Sequence, residues 1–235
     1  MKNLAKLFVF VAVVSAFLPA SANACWISVT AANETGSQTF LIDDGTLNGG
    51  FDYTNDQSKQ IVLGDGIAFI EKLKFSGKAD PEIGTEFGVR AGSSNTTITI
   101  SSGLETFAPL TNPAGYASAG VTLTDRTPTG TATITGLYAN GKINQAKYNV
   151  STAWVNLVDS FSVSGGTLTS EGFYGTPENP IIINNTLINI ESNFYFILSA
   201  GDSASGTSNF TVIPEPATIA LLSLGVLALR KKHRS

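Results

Sequence analysis

Apolar and polar residues alternate along much of the chain with a period of two, the pattern of strands that bury one face. One parity, interrupted at Glu71, holds Ile67, Phe69, Leu73 and Phe75. Ile98 and Ile100 alternate with threonines in the same way, and similar segments recur as far as Ile213. The pattern predicts about a dozen short strands.

Turn signals and one helical segment refine this expectation. Asn140-Gly141 is the signal of a type I′ turn, because both central residues of that turn need positive φ. After Ser151, the i, i+3, i+4, i+7 spacing of a short amphipathic helix is met by Trp154, Leu157, Val158 and Phe161. Many strands, one short helix and no βαβ rhythm predict an all-β fold, an antiparallel β-sandwich of the jelly-roll-like kind.

Residues 1–24 have the form of a secretory signal peptide. They contain two early lysines, an apolar run over residues 7–18 and the small-residue pattern Ala22-Asn23-Ala24. We expect signal peptidase to cleave after Ala24. Lipidation of Cys25 is an alternative, although the residues before it lack the large aliphatic side chain of a lipoprotein signal.

The last two dozen residues have three parts. Pro214-Glu215-Pro216 interrupts regular structure, because proline has no N–H and biases its predecessor towards extended geometry. Residues 217–229 are thirteen apolar or small residues, fewer than the ~20 that span a bilayer as a helix. The basic end at 230–235 acts as a stop signal through Arg230, Lys231, Lys232 and Arg234. We therefore expect a single hydrophobic helix that serves as a transient membrane signal.

This order of residues resembles the PEP-CTERM sorting signal of exported bacterial proteins. The resemblance rests on the motif Pro214-Glu215-Pro216, the Ala217-Thr218 after it, the leucines that follow and the cluster Arg230-Lys231-Lys232. It implies that an exosortase, an integral membrane transpeptidase, recognises the motif in an inner-membrane precursor that then reaches the cell surface or extracellular matrix. Ice-binding and other extracellular proteins carry similar tails. The expected organisation is a signal peptide at 1–24, a secreted sandwich at 25–212 and a sorting tail at 213–235.

Charge distinguishes the body from its two ends. Six of the fourteen lysines and arginines lie in the ends, so the body holds eight basic residues against seventeen acidic ones, a net charge of −9. A body of this sign repels phosphate backbones, which argues against nucleic acid as a partner.

The body also has little catalytic chemistry. The single histidine is His233 and the single cysteine is Cys25, so an internal disulfide, a Ser-His-Asp triad and a histidine zinc site are excluded from it. We expect no cofactor and no enzymatic activity. A carboxylate pair of the glycosidase kind is the alternative, with the candidates Glu71, Glu82, Glu86 and Asp159.

Aspartates and asparagines between residues 43 and 56 offer the oxygen ligands that calcium prefers. The weak calcium candidates are Asp43, Asp44, Asp52 and Asp56. Their spacing fits neither an EF-hand loop nor a Gly-Gly-x-Gly-x-Asp repeat, and these residue types are also ordinary turn formers. Solvated turns are the simpler interpretation.

Two further patterns bear on the role of the body. Thr-x-Thr pairs would place hydroxyls on one strand face, as on an ice-binding surface or any outward sandwich face: 97/99, 122/124, 127/129, 131/133 and 133/135. An exposed aromatic strip would indicate a carbohydrate-binding module, with the candidates Trp26, Tyr53, Tyr116 and Tyr174. The sequence favours a structural or adhesive, non-enzymatic role, with extracellular polysaccharide as a candidate partner.

Overall fold

In this computed structural model the described residues are 26–43, 50–54, 60–78, 80–127 and 130–214. The expected signal peptide with Ala22 and Ala24, the sorting tail beyond Pro214 and its hydrophobic helix lie outside them. Across these ranges no helix has the length and apolar character that crossing a bilayer requires.

Seventeen strands make up nearly all the regular structure of the described residues. They are β1 (Trp26–Asn33), β2 (Gly36–Asp43), β3 (Gly50–Thr54), β4 (Ile61–Leu63), β5 (Ala68–Lys78), β6 (Glu82–Ala91), β7 (Thr96–Ser101), β8 (Glu105–Thr111), β9 (Ala114–Asp125), β10 (Ala132–Gly136), β11 (Lys142–Tyr148), β12 (Thr152–Asp159), β13 (Phe161–Val163), β14 (Gly166–Tyr174), β15 (Ile181–Ile182), β16 (Thr186–Leu198) and β17 (Ser203–Ile213). A 3-10 turn at Ala139–Gly141 accompanies them.

The strands form two antiparallel sheets that pack face to face. The first sheet follows the order β12-β11-β16-β7-β1-β2, with β8, β10 and β13 beside it, and the second follows β14-β9-β17-β6-β5-β3, with β4 and β15. An apolar core fills the space between them. Phe87 of the second sheet packs edge-on against Phe194 of the first, with ring centroids 4.8 Å apart. The all-β, antiparallel sandwich is therefore confirmed, and the jelly-roll-like classification stays a prediction.

The parity predicted for β5 is wrong on one side of a β-bulge. The register between β5 and β6 shifts at Glu71, which becomes an extra residue in the strand. Ile70 therefore faces the core before the bulge and Leu73 faces it afterwards, whereas Phe69 lies on the outer face. An extra residue reverses the alternation, and sequence parity alone does not reveal it.

The short helix predicted after Ser151 is also wrong, because β12 occupies this segment and pairs with β11. The register of that pair shifts beside Trp154, which reaches between the sheets and stacks on Phe210 with ring centroids 5.0 Å apart. Leu157 and Val158 are both buried, and Val158 has a φ of +62°. The apolar residues whose spacing resembles a helix therefore lie on a bulged strand, which buries neighbouring positions such as Leu157 and Val158.

The positive φ angles predicted for Asn140 and Gly141 are confirmed, at +62° and +70°, but the type I′ turn is wrong. The hydrogen-bonded turn spans Tyr138–Gly141, and its first central residue, Ala139, does not have a positive φ. The amide of Gly141 donates to the carbonyl oxygen of Tyr138 at 3.1 Å. Both β10 and β11 pair with β16, so residues 137–141 between them leave β16 and return to it. We call these residues the excursion. The excursion places the Tyr138 ring 5.8 Å from the ring of Tyr195.

Candidate functional site

The outer face of the second sheet has a shallow polar depression near its centre. Strands β14, β9, β17, β6 and β5 present alternate residues outward in register, and two of these outward positions are Gly120 and Gly84. Because glycine has no side chain, the sheet surface is lower there than around it. Two adjoining depressions of about 330 and 210 Å³ result, and they share Glu86 and Thr207. We call this pair of depressions the trough.

Hydroxyl and charged groups line the trough. The outward-facing hydroxyl groups belong to Ser76, Thr122, Thr169, Ser205 and Thr207, and the charged groups to Lys72, Lys74, Glu86 and Glu171; the buried Thr85 and Ser208 also border the smaller depression. The Lys72 ammonium forms an ion pair with Glu86. The Thr122 and Thr169 hydroxyls are hydrogen-bonded across β9 and β14 at 2.8 Å. This surface can exchange several hydrogen bonds with a hydroxyl-rich ligand.

Glu171 is a trough residue that sequence reasoning missed. A Cβ atom placed on Gly120 would lie 3.5 Å from Cγ of Glu171, so the glutamate side chain lies over the glycine. The alternation of Thr167, Thr169 and Glu171 was a signal that these side chains share a face. The sequence did not show that β14 pairs with β9, and that pairing puts Glu171 beside Gly120.

The four candidate catalytic carboxylates do not converge. Glu71, Glu82 and Glu86 are spread along the outer face of the second sheet, and Asp159 lies on β12 of the first. Each binds a cation: Glu71 binds Arg126 at 3.1 Å and Arg90 at 3.5 Å, Glu82 binds Lys78 at 3.0 Å, Glu86 binds Lys72, and Asp159 binds Lys142 at 2.8 Å. Only Glu86, of these four, lines the trough.

The aromatic candidates are also divided. Tyr174 packs edge-on against Trp154, with ring centroids 5.0 Å apart, on the inner side of β14. Tyr116 lies on the outer face of the same sheet, where it pairs with Thr211. These two tyrosines therefore do not form a common strip. Trp26 and Tyr53 belong to β1 and β3, and their side chains lie outside the described structure.

The threonine pairs that fall on described strands occupy outward faces of both sheets, whereas Thr127 follows β9 outside any strand and Thr129 lies outside the described residues. Thr97 and Thr99 lie on β7 of the first sheet, and Thr122 and Thr124 lie on β9 of the second. The hydroxyls of Thr124 and Thr167 are 3.2 Å apart and extend the hydroxyl row beside the trough. The threonines thus form outward polar strand faces, and part of one face borders the trough.

The calcium candidates fall largely outside the described residues. Asp44 and Asp56 are outside them altogether, and the side chains of Asp43 in β2 and Asp52 in β3 are as well. The part of the chain that the structure describes contains no group of three or more His, Cys, Asp or Glu residues placed to hold a metal. A calcium site in the segment 43–56 stays a prediction.

A second polar cluster lies on the outer face of the first sheet. The Lys147 ammonium binds Glu191 at 2.7 Å, and Asn193 Nδ2 donates to the same carboxylate at 2.9 Å. Burial, and then the charges of Glu191 and Tyr195, raise the pKa of Tyr138. The side-chain oxygen of Asn193 accepts a further hydrogen bond from the Ser102 amide at 3.2 Å, so the polar groups of this cluster are satisfied by one another and by the adjacent backbone.

The PEP motif begins where an interior strand ends. β17 lies between β6 and β9, and its last residue, Ile213, pairs with Ala114. Val212 is buried and donates its amide to the carbonyl oxygen of Pro81 at 2.8 Å. Pro214, which directly follows Ile213, is exposed. The motif therefore follows the core directly, without an intervening linker.

The fold defines an all-β sandwich protein. Residues 212–234 match the family model of the PEP-CTERM protein-sorting motif, which confirms the resemblance in the tail. The chain thus carries a PEP-CTERM sorting signal behind its sandwich. That signal implies an exported protein that an exosortase sorts and processes at the membrane.

No curated protein matches the chain. Among solved structures, a chain in the structure of the infectious bursal disease virus Gx strain is 10% identical, and the alignment covers 92% of this chain and 75% of that chain with a TM-score of 0.21. The VP2 subviral particle of infectious bursal disease virus is 12% identical over 91% of this chain and 75% of that one, with a TM-score of 0.19. Scores this low carry no argument about this protein.

Proposed function

We propose that the protein is a structural or adhesive, non-enzymatic component of the cell surface or extracellular matrix, and that its trough binds extracellular polysaccharide. The trough is the single observation that supports this proposal. It is open and shallow, whereas sites for small molecules usually enclose most of the ligand. An extended glycan chain could lie along the face and exchange hydrogen bonds with Thr122, Ser205 and Thr207.

Charge narrows the proposed ligand to a neutral or weakly charged polysaccharide. Two lysines and two glutamates line the trough, so its positive and negative charges are equal in number. The body as a whole is acidic, which disfavours a strongly anionic glycan. The binding energy would then come from hydrogen bonds spread along the ligand rather than from salt bridges.

The ion pairs support a non-enzymatic role. A glycosidase needs two carboxyl groups that face each other across the scissile bond, one of them as a proton donor. Glu86 is held by Lys72, and the other three sequence candidates are paired elsewhere.

The second candidate function is a glycan-active enzyme. The observation that favours it is that Glu86 and Glu171 line the same depression.

A pair of glycine and serine variants tests the trough. A Cβ on Gly120 meets only ordinary contacts, the nearest at 3.5 Å, so Gly120→Gln should fold and fill the depression. Ser118→Gln, two residues earlier on the outer face of β9, is the matched control. We expect the full-length Gly120→Gln protein to bind the producer's exopolysaccharide at least tenfold more weakly, and Ser118→Gln to bind as the unaltered protein does. Equal affinities of all three would refute binding at the trough.

Two further measurements separate the remaining proposals. Release of reducing ends from the same polysaccharide, abolished by Glu86→Gln or Glu171→Gln, would replace the adhesive proposal with the enzymatic one. Deletion of residues 214–235 should release the protein from the cell envelope into the medium. Unchanged localisation of that variant would contradict sorting through the tail.

A further inference from the structure

The end of the sandwich from which the tail leaves is built from several neighbouring segments, which we call the tail end. Ile213 pairs with Ala114, and Ala114 pairs with Ile182 of β15. The chain then crosses to the first sheet, where Thr186 at the start of β16 accepts a hydrogen bond at its carbonyl oxygen from Asn149 Nδ2, at 2.8 Å. The turn between β11 and β12 therefore lies at this end too.

The length of chain beyond β17 sets how far the tail end can stand from a bilayer. Only residues 214–216 separate Ile213 from the apolar run at 217–229. Three extended residues span about 10 Å, and one headgroup layer is roughly 5–8 Å thick. While the run occupies the hydrocarbon, as the proposed sorting function requires, the tail end must lie against the headgroups.

Three aliphatic side chains project from the tail end. Ile182 is 63% exposed, Val150 57% and Ile188 44%. Hydrogen bonds fix the backbone that carries two of them, because the Val150 amide donates to Asn189 Oδ1 at 2.9 Å and the Ile188 amide to Asn149 Oδ1 at 3.0 Å. The apolar groups are thus held in place on an ordered surface.

Val150 shows a second, independent peculiarity. Its φ is +67°, a conformation that β-branched residues adopt rarely and that glycine or asparagine adopts readily. Both the backbone and the surrounding water therefore disfavour valine at this turn. An apolar environment outside the protein would favour it.

We propose that the tail end, through Val150, Ile182 and Ile188, docks on the outward-facing surface of the bilayer while the tail anchors the protein. The exposed acids Asp80 and Glu178 lie near the same end, and the lysines there, Lys78 and Lys147, are paired with Glu82 and Glu191. No excess of positive charge faces the membrane, so the contact is hydrophobic and does not depend on anionic lipid. Docking fixes the height and orientation of the PEP motif at the membrane. Once the tail is removed, three side chains hold the body only weakly, and it is released.

Site-specific fluorescence on the full-length chain tests this proposal. In a Cys25→Ser background, single cysteines replace Val150, Ile188 or Leu168, and each carries an environment-sensitive nitrobenzoxadiazole dye. Leu168 is the matched control, because it is 44% exposed like Ile188 but lies near the opposite end of the sandwich, where β14 begins. The vesicles contain phosphatidylcholine with a small fraction of nitroxide-labelled phosphatidylcholine.

We expect dyes at positions 150 and 188 to shift to shorter emission wavelengths and to be quenched at least threefold more than the dye at 168. If the chain floats with the vesicles but all three dyes are quenched alike, docking is wrong and membrane anchoring by the tail stands. If the chain does not float at all, both proposals fail. Shielding of 150 and 188 only in cells that contain the exosortase would assign the surface to that enzyme and overturn the lipid contact.

Discussion

The guanidinium carbon of Arg90 lies 4.2 Å from the centre of the Phe69 ring on the outer face of the second sheet. The same side chain binds Glu71 through Nε at 3.5 Å. Glu71 is the extra residue of the bulge in β5, and Phe69 lies outward just before it. Phe69 is the direct cross-strand partner of Arg90, and the bulged Glu71 lies two residues further along the same strand.

Arg90→Ala should lower the free energy of unfolding by about 1–2 kcal/mol, because it removes a cation–π contact and a partly buried ion pair together. Arg126→Ala is the control, since that side chain also binds Glu71 but is about half exposed and makes no aromatic contact within the described residues, so we expect a loss of about 0.5 kcal/mol or less. Urea denaturation measures both. Equal losses would show that the ring contact contributes nothing.

Gly206→Ala should destabilise the fold by roughly 1–3 kcal/mol, as overpacked core sites do. An added Cβ would lie 2.6 Å from Cε1 of Phe87 and 2.8 Å from the carbonyl oxygen of Gly120, so rings and backbone must shift. Gly120→Ala, on the adjacent strand, meets ordinary contacts and should change stability by less than about 0.5 kcal/mol. Thermal unfolding followed by circular dichroism compares the two. A stable Gly206→Ala protein would contradict the packing described at Phe87.

Glu105 gives the fold a pH dependence of defined sign. Burial raises the pKa of Glu105 to about 7 from its ordinary 4.5. Between these values the unfolded chain releases the proton that the folded protein keeps, so stability falls as pH rises through this window and is constant above it. Glu105→Gln should abolish this contribution and raise stability at pH 8 by on the order of 2 kcal/mol, allowing for partial solvent screening. Urea titrations from pH 4 to pH 8 test this, and parallel curves for both proteins would contradict it.

The Lys147–Glu191 pair should behave as a buried ion pair. Glu191→Leu leaves the Lys147 ammonium uncompensated, with a side chain only 21% exposed, and should cost about 2–4 kcal/mol. Lys147→Met combined with Glu191→Leu should recover most of that loss. The coupling energy from the double-mutant cycle checks the prediction, and a value near zero would mean that water screens the pair.

Much of the architecture followed from local chemistry. Alternation predicted the strands around Ile98 and Ile100, and Asn140 and Gly141 adopt the positive φ angles expected of them, although not in a type I′ turn. Two errors have a common cause, because bulges at Glu71 and beside Trp154 shift the register without any mark in the pattern. A bulge is defined by how a strand pairs with its neighbour, and the tertiary structure determines which strand that neighbour is.

The candidate site was less accessible to such reasoning. The sequence places Glu86 among four candidate acids and gives no reason to single out Glu171 or Gly120. These residues are distant in sequence and meet because β14, β9, β17 and β6 lie side by side. Strand order depends on how the whole chain buries its apolar surface away from water. A short stretch of sequence therefore does not reveal it.

The sequence by itself determined the sorting signal, since proline geometry, apolar length and basic charge act locally and read the same in any fold. It also determined the β class of the body through its period of two. Only the tertiary structure decided which outward residues share the trough and that Val150, Ile182 and Ile188 lie at the end of the sandwich from which the tail leaves. Those relationships depend on pairing between distant strands, which the cooperative burial of one common core selects.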